Sequence, residues 1–81
     1  MQKTVYYLVD LTNCQRTQWY ETLAGARIAQ RSRNRRLGFI ERVERIELTD
    51  NLEVEQCLVD DEIVTATLAI QEDTVEQVDL D

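Results

Sequence analysis

Apolar and polar residues change their spacing several times along this chain, and each change marks an element. In Thr4–Leu11 (TVYYLVDL), Val5, Tyr7, Val9 and Leu11 fall on one face and Tyr6 and Leu8 on the other. With both faces apolar and most residues β-branched or aromatic, the segment reads as a strand in the interior of a sheet. Thr12 followed by Gln15 has the spacing of a capping box, and Asn13 and Thr17 offer further caps, so a helix is expected to begin between residues 13 and 18. At about 100° per residue Trp19, Leu23, Ala26 and Leu37 form one stripe flanked by Tyr20 and Ala24, and Gly38 suits the left-handed position that ends a helix. The expectation is one helix of about 20 residues. Its second half carries Gln30 and Asn34 on the stripe and arginines around it, which predicts a helix end projecting past the core.

Between Leu37 and Leu48, Ile40, Val43 and Ile46 recur every third residue, while Phe39/Val43 and Ile46/Leu48 fit a strand with one bulge near Arg45; the strand is the preferred reading. Leu52–Val59 and Ile63–Ile70 read as a hairpin. A three-residue loop, Asp60-Asp61-Glu62, would set Leu52, Val54 and Leu58 on one side with Val64, Ala66, Leu68 and Ile70, whereas a two-residue loop would mix the faces. The order is then β-α-β-β-β, an α+β two-layer sandwich with one long helix packed on a small, mostly antiparallel sheet, the helix being a right-handed crossover. Residues 1–70 are expected to form a single domain and residues 71–81 an acidic, flexible C-terminal tail.

Size and composition limit what such a domain can do. Eighty-one residues, 43% of them hydrophobic, support one modest core despite a net charge of -7. No apolar run approaches the roughly 18 residues that span a bilayer, and no basic-then-apolar leader opens the chain, so a cytoplasmic protein without a membrane partner is expected. Cys14 and Cys57 make no disulfide framework and are expected as reduced thiols, Cys14 as a small buried or capping residue. There is no His, which removes the commonest general base and metal ligand and with it Ser-His-Asp and Cys-His catalysis. Cys14 as a nucleophile at a helix start, and Asp10 holding a metal with Asp50 or Asp60, are the weaker chemical readings. The chain is expected to be non-catalytic, with no cofactor and no metal.

Charge carries more information. Residues 1–45 hold all nine basic residues and four acidic ones, about +5, and residues 46–81 hold twelve acidic residues and no basic one, -12. Guanidinium groups on successive turns can bind phosphates or form paired hydrogen bonds with carboxylates. Arg27 and Arg31, at the edge of the apolar stripe, are expected to lay their stems on the core and meet Glu or Asp from the later strands. The leading expectation is an adaptor, regulatory or assembly protein that binds another protein through Arg27, Arg31, Arg33, Arg35, Arg36, Arg42 and Trp19 and through an opposite acidic surface. Homodimerisation through an edge strand is compatible with it. The alternatives are an RNA- or DNA-binding module whose Arg27–Arg45 stretch contacts phosphates, disfavoured by the net negative charge, and an acidic inhibitor that mimics nucleic acid.

Overall fold

The computed structural model describes residues 1–49 and 51–76. Six strands and one helix follow in the order β1 (Gln2–Asp10), β2 (Gln15–Tyr20), α1 (Leu23–Arg36), β3 (Glu41–Thr49), β4 (Leu52–Val59), β5 (Glu62–Thr65) and β6 (Leu68–Glu76). All pairings are antiparallel, in the order β2-β1-β6-β4-β3, with β5 also on β4. This is an α+β fold, as expected, but its order is β-β-α-β-β-β-β. The expected crossover helix between parallel strands is absent from it.

The first departure is at residues 11–20. Thr12 caps no helix; its N–H and hydroxyl both donate to Asp10 Oδ1, at 2.9 and 2.5 Å, and Gln15 N–H donates to Asn13 Oδ1. These local bonds, with Cys14 at φ 57, turn the chain back so that β2 pairs with β1. Trp19 and Tyr20 consequently point to opposite sheet faces instead of sharing a helix stripe. Tyr20, opposite Tyr6, packs towards the helix, whereas Trp19, opposite Tyr7, lies on the other face and is 55% exposed. Cys14 is likewise exposed, not buried or capping a helix.

The helix is 14 residues long. Thr22 is its N-cap, accepting from Gly25 N–H at 3.1 Å, and Leu37 its C-cap, followed by Gly38 at φ 105, the left-handed residue the sequence predicts there. Ala26 packs on Leu8 and Ile70, with Tyr6, Tyr20, Leu23 and Ala29 around them. β1 is interior, as expected, pairing with β2 on one side and β6 on the other.

The hairpin differs from expectation in its turn. Val59 pairs with Glu62, so the loop is two residues, Asp60 and Asp61, both left-handed at φ 52 and 65. Such a turn matches the twist of paired strands, and Asp tolerates the left-handed region better than most residues. Val64 and Ile70 therefore share the helix-side face with Cys57 and Glu53, while Leu52, Val54 and Leu58 lie on the other face. The strand returning from this turn is broken: between the Gln56–Thr65 and Glu53–Ile70 rungs, residues 54–55 of β4 face residues 66–69. Ala66 N–H still reaches Glu55 O at 2.8 Å, but Leu68 loses its β4 partner.

Two helix side chains fill that break. Asn34 Oδ1 accepts from Leu68 N–H at 2.9 Å, and Asn34 Nδ2 donates to Leu68 O at 3.0 Å and Glu55 Oε1 at 3.1 Å. Gln30 Nε2 donates to Glu53 O and Leu68 O, each at 3.2 Å. Asn34 thus serves as a strand residue supplied from the helix. Gln30 and Asn34, expected to mark a projecting helix end, are 0% and 1% exposed.

β3 is a strand, as preferred from the sequence, with register shifts at Arg42/Glu44 and Glu47/Thr49 where a single bulge near Arg45 is expected. β6 continues to Glu76, pairing with β1 as far as Gln2, so residues 71–76 are part of the sheet and not of a tail. The rest of the expected tail, residues 77–81, and Asp50 lie outside the described residues. No helix among the described residues is long and apolar enough to cross a membrane.

Candidate functional site: an arginine groove between α1 and β3

The helix packs over β1, β2 and β6 and leaves the same face of β3 and the end of β4 uncovered. Between the open flank of α1 and β3 runs a groove of about 650 Å³, lined by Arg27, Arg31, Arg35, Arg36, Arg42 and Arg45. A contiguous recess of about 290 Å³ shares Arg31, Arg35 and Arg42 and adds Phe39, Ile40, Glu55 and Cys57. Local geometry explains the convergence: residues 27, 31 and 35 are four apart on one helix flank. Arg42 and Arg45 reach the same side of the sheet through the register shift at Arg42/Glu44, pairing with Cys57 and Glu55.

The two ends of the groove differ. Near the helix start Arg27 makes two hydrogen bonds to Glu53, Nε to Oε1 at 2.7 Å and Nη2 to Oε2 at 3.0 Å, and the carboxylate raises the Arg27 pKa. Arg45 donates to Arg27 O at 3.1 Å and lies 3.9 Å from Glu55 Oε2; burial lowers its pKa against the opposing pull of Glu55. Near the helix end Arg31, Arg35, Arg36 and Arg42 form no ion pair with any described residue. Cations in the last turn suit the helix carbonyl end. That preference does not account for Arg31 or for Arg42 across the groove.

The expected site residues therefore separate. Arg27 meets a later-strand carboxylate, as expected of it; Arg31 does not, and joins Arg35, Arg36 and Arg42. Arg33 turns towards β2 and donates to Gln18 Oε1. Trp19 lies on the far face of the sheet beside Lys3, Val5, Tyr7 and Val75. Apolar neighbours of the groove were not among the sequence candidates: Ile28 and Ile40 are 73% and 65% exposed. The threefold spacing of Ile40, Val43 and Ile46, which resists a clean strand assignment, was the only signal for Ile40, and Ile28 had none.

The acidic half does not simply face away from the arginines. Glu53 pairs with Arg27 at 2.7 Å, Glu55 lines the recess 3.9 Å from Arg45, and Asp73 pairs with Arg16 at 2.9 Å. Asp60, Asp61 and Glu62 are exposed at the β4–β5 turn and form no ion pair with any described residue. Buried Glu55 Oε2 and Arg45 Nε lack hydrogen-bond partners, so this pair is loosely made. No group of three or more Cys, Asp or Glu among the described residues could hold a metal. Asp10 spends its carboxylate on Thr12, whose hydroxyl and then backbone N–H hold its pKa low. No family model, curated protein or solved structure matches this chain.

Proposed function

We propose that this is a non-catalytic, cytoplasmic protein-binding module whose α1–β3 groove takes an acidic, partly apolar segment of a partner protein. One observation carries the reading: Arg31, Arg35, Arg36 and Arg42 converge on one groove without an ion pair to any described residue, and exposed Ile28 and Ile40 stand among them. Guanidinium forks suit carboxylates, and the isoleucines supply apolar area that a bare phosphate backbone would leave unused. The overall charge of -7 opposes approach of a polyanionic nucleic acid more than that of a short segment in which carboxylates alternate with apolar side chains.

The test is fluorescence anisotropy with a labelled peptide of alternating Glu and Leu, set against a labelled single-stranded oligonucleotide. The peptide is expected to bind, and R35E/R42E to weaken it by about tenfold or more. Tighter binding of the oligonucleotide, with affinity falling steeply as salt rises, would reject the protein-partner reading in favour of phosphate contact.

A further inference from the structure

The β4–β5 turn is the chemical complement of the groove. Asp60 and Asp61 are held in a tight two-residue turn closed by the Val59–Glu62 rung, with Glu62 beside them. Leu58 and Ile63 pair directly, so they share a face, and they are 38% and 60% exposed. β3 pairs no further along β4 than Leu58, through Glu41, so the turn lies beyond the end of β3. The tip therefore presents three carboxylates and two aliphatic side chains on a rigid support. The groove presents four arginines and two isoleucines.

We infer that the occupant of the groove is the Asp60-Asp61-Glu62 tip of a second copy of this chain, in a two-fold dimer where each copy's tip enters the other's groove. This rests on the groove being the binding site proposed above and names its partner. The tip cannot serve its own groove, because β4 is locked between β3 and β5 rung by rung and the turn continues away along the strands. Tip and groove nonetheless lie at one end of the sheet: Arg42 pairs with Cys57, two residues before the closing rung at Val59. A single two-fold axis near that end makes both contacts at once and closes the assembly at two copies. The turn is ordered before association, so little conformational freedom is lost there on binding. The separation of charge along the chain acquires a use: the positive half of one copy meets the negative turn of the other.

Sedimentation equilibrium tests this on the whole chain. The wild type is expected to dimerise at low salt and dissociate as salt rises. D60N/D61N/E62K, whose asparagines keep residues that tolerate the left-handed turn, and R35E/R42E are each expected to be monomeric, with dimer affinity lower by about tenfold or more. An equimolar mixture of the two variants is expected to associate more strongly than either alone, because at one contact the native tip meets the native groove, while at the other E62K faces a groove whose four arginines R35E/R42E has brought to no net charge. A monomeric wild type, open-ended growth, dimers that survive in either variant, or a mixture that fails to associate would each overturn the proposal. The Glu/Leu peptide separates this from failure of the groove reading. If D60N/D61N/E62K binds the peptide while the wild type stays monomeric, the groove is a binding site for another protein and only the dimer is wrong; if neither protein binds the peptide, both readings fall.

Discussion

The two flanks of α1 use polar side chains in opposite ways. On the flank over β6, Gln30 and Asn34 are almost wholly buried; Asn34 both donates to and accepts from the Leu68 backbone, and Gln30 Nε2 donates to Leu68 O and Glu53 O. On the flank facing β3, Arg31 and Arg35 end in an open groove and form no ion pair with any described residue. Helical position alone does not separate them, for Gln30 precedes Arg31 and Asn34 precedes Arg35. The difference comes from the sheet beneath. Where β4 and the β5–β6 strand lose register, backbone groups are left without partners in a buried place, and an amide is the side chain that can both donate and accept there. Where the sheet runs out past the helix, Arg31 and Arg35 hold no ion pair with any described residue, and the long cations remain available.

The sharpest way to break this contrast is to alter its closed side. Asn34→Leu is close in volume but leaves Leu68 N–H and C=O without Asn34, and Glu55 without its donor. Stranded buried groups each cost roughly 1–3 kcal/mol, so a loss of about 3 kcal/mol is expected in urea unfolding. Asn34→Asp, which keeps an acceptor for Leu68 N–H but places a carboxylate beside Glu55, should be about as harmful. On the open side, R35E/R42E should change unfolding stability by no more than about 0.5 kcal/mol, since neither residue holds an ion pair in the described fold. A large loss of stability in that variant would mean that the arginines support the fold and are not reserved for a partner.

Neither flank was fully legible in the sequence, and the reasons differ. The arginine cluster could be read because charge is a local property, and its counting separates the two halves of the chain without knowledge of the fold. Which arginines are neutralised could not, since Arg27 and Glu53 are brought together only by the packing of α1 on β4. β1, β4 and the ending at Gly38 followed from local pattern and backbone chemistry. β2 was missed because Trp19, Leu23 and Ala26 share a helical stripe, while the same Trp19-Tyr20 pair serves equally well on two faces of a strand. The role of Asn34 depends on a register break more than 30 residues further along the chain, and helix periodicity could only mark it as out of place.

Within the groove, the contrast between its two ends can be sharpened by removing the pair that closes one of them. Arg27 is 41% exposed and Glu53 20%, so their double hydrogen bond is partly screened by solvent. Arg27→Ala should cost about 0.5–1 kcal/mol, more than an exposed pair of surface charges but well below the Asn34 substitutions. Arg27→Lys retains the charge without the fork and should recover only part of that loss. If Arg27→Ala also weakens binding of the Glu/Leu peptide as much as R35E/R42E does, the closed end of the groove belongs to the binding surface, and the division between its ends would have to be withdrawn.

The smallest expected effect compares the two thiols. Cys14 is exposed at the β1–β2 turn, whereas Cys57 is 1% exposed at the floor of the recess beside Glu55. Burial first, and the Glu55 charge second, push the Cys57 pKa above 9.0, with Arg42 pulling the other way. Thiolate is the reactive form, so alkylation near pH 8 followed by mass spectrometry should modify Cys14 faster than Cys57 by about tenfold or more. Because the folded-state pKa is raised, the thiol's contribution to stability is intact below 9.0 and declines as pH climbs from there towards the folded value. Arg42→Ala removes the one cation that lowers the Cys57 pKa and should slow its alkylation further. Faster labelling in Arg42→Ala would show instead that the Arg42 side chain acts as a cover over the recess, placing Cys57 on the open side of the molecule.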